Sequence, residues 1–135
     1  MPAYHLDTSL ARETVAKLDP FTLAYVEALF WTLTDDDGRS LDYLGLHDLS
    51  AAGLEKCKAD CADFQTANAG LLEGSDPSQA GHDFWLTRNR HGAGYWDRDR
   101  ACYPADPDGK QLTAASHGYG EVWAYVGDDG EVYVS

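Results

Sequence analysis

Residues 81–98 read Gly81-His82-Asp83-Phe84-Trp85-Leu86-Thr87-Arg88-Asn89-Arg90-His91-Gly92-Ala93-Gly94-Tyr95-Trp96-Asp97-Arg98, and the reading of this stretch decides the fold class. Asp83 to Asn89, rich in aromatic and β-branched side chains, reads as a strand. Strand alternation puts Phe84, Leu86 and Arg88 on one face and Asp83, Trp85, Thr87 and Asn89 on the other. Arg90 to Gly94 reads as a tight turn whose glycines supply positive φ. Tyr95-Trp96-Asp97 reads as the returning strand, which brings Asp97 towards Arg88 or Thr87.

Downstream, Glu121–Val126 and Glu131–Val134 flank Gly127-Asp128-Asp129-Gly130, the clearest hairpin in the chain. Leu112–Tyr119 reads as a short helix, and residues 99–110 as a Pro/Asp/Gly loop. Upstream, a polar lead-in over residues 1–20 carries a short helix capped by Thr8 or Ser9 and ending near Leu18. Asp19-Pro20 opens a second, strongly apolar helix through Phe21–Leu33. Residues 39–49 read as an irregular connection. Ser50 caps a helix from Ala51 to about Ala69, with Leu54, Cys57, Cys61, Phe64 and Asn68 along one face. Residues 70–81 read as a loop. Helices followed by strands predict an α+β fold: N-terminal helices on a small three- to four-stranded antiparallel sheet with one inserted helix.

A length of 135 residues suits a single domain. Apolar residues make up 44% of the chain, which argues against disorder. Acidic residues outnumber basic ones 23 to 10, for a formal net charge of −13. Such a field repels phosphate backbones and anionic lipid heads, so direct nucleic-acid and membrane binding are not expected. The one basic cluster, Arg88, Arg90, Arg98 and Arg100, is diluted by Asp83, Asp97 and Asp99. Residues 1–80 hold 14 acidic against 5 basic side chains, so the acidity sits mainly in the N-terminal half. Three cysteines (an odd count) with no apolar leader in Met1–Asp19 predict reduced thiols and a cytoplasmic protein.

Familiar motifs fail on inspection. Asp35-Asp36-Asp37-Gly38 lacks the EF-hand pattern, since Leu33 stands at loop position 1 and Leu44 at position 12. Cys57 and Cys61 are two thiols where structural zinc needs four ligands. Gly92-x-Gly94 is half a dinucleotide fingerprint and precedes no helix. Neither a metal nor a cofactor is expected.

Two readings of the 81–98 segment compete. As a catalytic cluster it would use His82, Asp83, Arg88, Asn89, His91 and Asp97. In that reading His91 is a general base oriented by Asp97, and Arg88 stabilises developing negative charge. As a structural device it is a hairpin braced by an Arg88–Asp97 pair. The aromatics Tyr95, Trp96, Trp123, Tyr125 and Tyr133 are read mostly as core.

GHDFWLTRNRHGAGYWDR (81–98) with LTAASHGYGEVWAYVGDDGEVYV (112–134), and LDPFTLAYVEALFWTLTDDDG (18–38) with DLSAAGLEKCKADCADFQTAN (48–68), resembles a group of small acidic proteins encoded by phages, prophages and related mobile elements. The likeness covers roughly residues 18–134 and brings no catalytic residues with it. It implies a phage accessory role, of the anti-CRISPR or anti-restriction kind that inhibits host defence, some of whose members mimic DNA. The expected function is therefore a non-enzymatic binding protein that meets a basic host protein or ribonucleoprotein through Asp35, Asp36, Asp37, Asp60, Asp63 and Glu73. A homodimer is left open. The alternative is a small hydrolase or transferase built on the 82–97 cluster.

Overall fold

The computed structural model describes residues 18–34, 38, 39, 41 and 44–135. The lead-in helix expected before Leu18 and the Asp35–Asp37 turn lie outside the described residues. Within them the protein is mostly helical. In chain order it has α1 (Pro20–Thr32), α2 (Ala51–Ala67), a single turn α3 (Ala69–Leu72), α4 (Pro77–Arg88) and α5 (Lys110–His117), then strands β1 (Ala124–Val126) and β2 (Val132–Val134). β1 and β2 form a two-stranded antiparallel sheet with Tyr125 opposite Tyr133. The expected three- to four-stranded sheet is therefore wrong, because the segment meant to supply its other strands is helical. None of the described helices is long and apolar enough to cross a membrane.

The correction centres on α4. Asp76 caps it by accepting a hydrogen bond from Ser78 N, and Pro77 fills the first helical position. Both residues fall in the stretch read as a loop. Every residue from Asp83 to Arg88 is buried, so neither helical nor strand periodicity is visible in the segment. Burial on all sides overrides the strand propensity of its aromatics. Gly81 makes the packing possible: a Cβ there would sit 1.9 Å from the carbonyl oxygen of Phe21 on α1. α1 and α4 form the most extensive pairing among the described elements.

The remaining helices follow their signals. Asp19 accepts from Thr22 N and Pro20 opens α1. Ser50 Oγ accepts from Gly53 N at 3.0 Å and starts α2, which turns Gly53, Cys57, Cys61 and Phe64 inward. Phe64 stacks on Phe84 with ring centroids 4.0 Å apart, and Tyr25 meets Trp85 edge-on. The core lies where α1, α2 and α4 converge. The hairpin is tied on through β2, whose Val132 carbonyl accepts from Ser50 N at 2.8 Å.

The 90–97 segment also differs from expectation. Tyr95–Asp97 is a single 3-10 turn rather than a strand. The left-handed φ is found at Arg90 (56°), whereas Gly94, at 163°, is extended. Gly94 is required for a close approach instead, since a Cβ there would lie 2.3 Å from Thr87 Oγ1. That hydroxyl accepts from Tyr95 N at 3.1 Å and pins the segment to α4.

Candidate functional site

α4 carries two buried charges, one at mid-helix and one at its C-terminal end. Asp83, with no solvent exposure, receives Arg98 bidentately, Nε and Nη2 lying 3.0 and 2.7 Å from Oδ1. Its other oxygen accepts from the Tyr103 hydroxyl at 2.5 Å and from Gln79 Nε2 at 3.1 Å. Burial and the neighbouring Asp83 carboxylate hold the Tyr103 phenol well above its ordinary pKa, so it stays a donor. Asp83 is thus saturated by internal partners.

Five residues on, at the last position of α4, Arg88 is 2% exposed. It donates through Nε to Gly120 O, through Nη2 to Tyr119 O, and through Nη1 to Tyr25 Oη and Asp60 Oδ2. Phe84 and Tyr119 rings flank its guanidinium. Burial alone would lower its pKa, but Tyr25 and Asp60 outweigh that and raise it. The expected Arg88–Asp97 brace does not form: Asp60 of α2 takes that place, because a helical Arg88 points across the core and not along a hairpin. Asn89 closes α4. Its amide nitrogen donates to Trp85 O, and its oxygen accepts from Val122 N.

The other members of the 82–97 cluster lie elsewhere. Asp97 is exposed and makes no hydrogen bond or ion pair with His91 among the described residues. His82, half-buried on α4, packs its ring against Trp31, 5.6 Å between centroids. His91 is exposed, and partial burial still lowers its pKa. His82 and His91 do share a cavity of about 520 Å³, with Trp31, Leu86, Ala93 and Arg98 among its walls. The cluster therefore divides: Asp83, Arg88 and Asn89 are spent inside the fold, while the two histidines face one open cavity. The two thiols of α2 offer no nucleophile. Cys57 and Cys61 are buried, and burial pushes Cys57 up to about 12 and raises Cys61 as well. Among the described residues no three His, Cys, Asp or Glu side chains are grouped to hold a metal ion.

Of the carboxylates expected to meet a partner, Asp60 is bound by Arg88 and by Lys56 at 3.3 Å. Asp63 accepts from the Tyr119 hydroxyl. Glu73 is exposed at the end of α3, and Asp35, Asp36 and Asp37 lie outside the described residues.

Four aromatic side chains read as core or left unremarked are exposed instead. Trp31, Trp96, Trp123 and Tyr125 have relative exposures of 69%, 49%, 73% and 45%. Trp123 and Tyr125 line a second groove, about 760 Å³, between β1 on one side and Leu29, Leu33 and Trp85 on the other. A signal for Trp31 existed: Glu27, the one charged residue of α1, lies one turn before it and marks the solvent face. Comparison with known protein families, with curated proteins and with solved structures finds no match for the chain.

Proposed function

We propose that this protein is a non-enzymatic binding protein that occupies a basic surface of a host nucleic-acid-handling protein. The phage anti-defence role implied by the sequence resemblance, and action in the host cytoplasm, belong to the same reading. The observation that carries it is the formal net charge of −13. At that charge, electrostatic steering favours a cationic protein partner and disfavours nucleic acid. The internal engagement of Asp83 and Arg88 also favours binding over catalysis, since it leaves the 82–97 cluster without its buried acid and its cation.

The test is capture from bacterial lysate with the tagged full-length chain, followed by purification of the captured protein and competition with duplex DNA. The expected result is one DNA-binding partner whose association weakens steeply with salt and which duplex DNA displaces. A captured protein indifferent to DNA, or none at low salt, overturns the proposal.

One observation favours an enzyme: His82 and His91 line the same cavity. The double variant His82→Ala/His91→Ala separates the readings, because the binding protein keeps its partner and an enzyme loses its turnover.

A further inference from the structure

Among the described residues the hairpin leaves one strand edge without a neighbour. Trp123 and Ser135 exchange both backbone hydrogen bonds, and Gly127 N donates to Glu131 O. In an antiparallel ladder this phasing makes Tyr125–Tyr133 a bonded pair and turns the N–H and C=O of Ala124 and Val126 away from β2. None of these outward groups has a hydrogen-bond partner among the described residues. The far edge of β2, by contrast, is engaged, since Val132 O accepts from Ser50 N. The open edge of β1 borders the 760 Å³ groove, whose opposite wall is Leu29, Leu33 and Trp85. An unpaired edge beside an apolar trough is the geometry that accepts an added strand.

We infer that β1 docks an extended, lysine- or arginine-bearing segment of the partner protein as a third strand. This deepens the proposed function and rests on its basic partner. Charge selects the occupant. Glu121 lines the groove at one end of β1, and Asp128 and Asp129 follow it at the other. Among the described residues lining the groove the basic one is His91, whose charge burial disfavours, and the adjacent Arg90 pairs with Glu121 at 4.0 Å. A second copy is the wrong occupant. Antiparallel pairing of β1 with itself, Ala124 against Val126, sets Glu121 opposite Asp129 twice, a like-charge contact. In a cationic strand the alternate side chains divide. Apolar ones enter the trough, and basic ones lie over the exposed rings of Trp123 and Tyr125 and beside the carboxylates.

The test uses the full-length chain and an acetylated, amidated octapeptide of alternating valine and lysine. Two further versions are N-methylated, one at every valine and one at every lysine. Amide hydrogen exchange followed by NMR should gain protection at Ala124 and Val126 when the parent peptide binds. One of the two methylated versions, the one whose N–H groups face β1, should lose at least about tenfold in affinity at unchanged charge. The variant Val126→Pro, which removes an outward N–H and no ladder bond, should lose a similar factor while keeping the β1–β2 amides protected. If Val126→Pro unfolds the hairpin, the methylated peptides still decide. Equal binding by all three peptides, protection confined to α2, or no binding overturns strand addition while leaving a basic partner in place. Failure of DNA to compete for the captured protein overturns the underlying function instead.

Discussion

The α1–α4 pair and the C-terminal hairpin are both rich in aromatic residues and use them in opposite ways. Between the helices Phe21, Tyr25, Phe84 and Trp85 are almost wholly buried, and the charges among them are matched: Asp83 by Arg98 and Tyr103, Arg88 by Asp60 and Tyr25. On the hairpin Trp123 and Tyr125 face solvent beside backbone groups that have no partner among the described residues. The first region has spent its chemistry on the fold, since buried charges persist only when paired. The second has kept its contact area open, and large exposed aromatics flanking a groove are the residues that dominate protein interfaces. With the binding role proposed for the hairpin, the division would place structure and recognition in different parts of a small chain.

The sharpest way to break that contrast is Asp83→Ala. Losing the carboxylate orphans the buried Tyr103 hydroxyl and removes the partner of Arg98, whose guanidinium is partly exposed and can turn to water, so the cost is that of an unsatisfied buried donor plus lost charge-assisted bonds, about 3 kcal/mol. Urea unfolding should report that loss, and Asp83→Asn, which keeps an acceptor for Tyr103, should recover part of it. A catalytic Asp83 would predict the reverse, little change in stability. Next in size is Gly81→Ala. The new methyl meets the backbone of Phe21, which cannot swing aside as a side chain would, so α1 and α4 must separate. Overpacking of this kind costs about 1–3 kcal/mol. For a chain of this length that lowers the Tm by several degrees, readable in a thermal melt.

These same residues explain what sequence could and could not reveal. α1 and α2 were legible because their caps and breaks, Asp19-Pro20 and Ser50, stand immediately before apolar runs. The β1–β2 hairpin was legible from its Gly-Asp-Asp-Gly turn. α4 was not, because Asp76-Pro77 is separated from Phe84 and Trp85 by small and polar residues, and burial on every side erased the periodicity that distinguishes helix from strand. The error propagated: a strand at 83–89 demanded a partner at 95–97 and an Arg88–Asp97 pair. Asp60, the true partner of Arg88, lies 28 residues away on another helix, a separation no local pattern encodes. The site followed the same logic. That Asp83 and Arg88 are polar residues in an apolar context was visible; whether solvent or core surrounds them depended on the helix.

Trp123→Ala is expected to change stability least, and so tests the hairpin's side of the comparison most directly. At 73% exposure the indole contributes little packing, so unfolding free energy should move by no more than about 0.5 kcal/mol. Affinity for the captured partner should nevertheless fall by at least about tenfold, as for an interface anchor. Trp96→Ala is the control: that indole is 49% exposed but does not line the β1 groove. If exposed aromatics merely make the surface adhesive, the two variants weaken binding alike. If the groove is the working surface, only Trp123→Ala does. A stability loss well above 1 kcal/mol at Trp123 would make it a core residue and erase the distinction between the two regions.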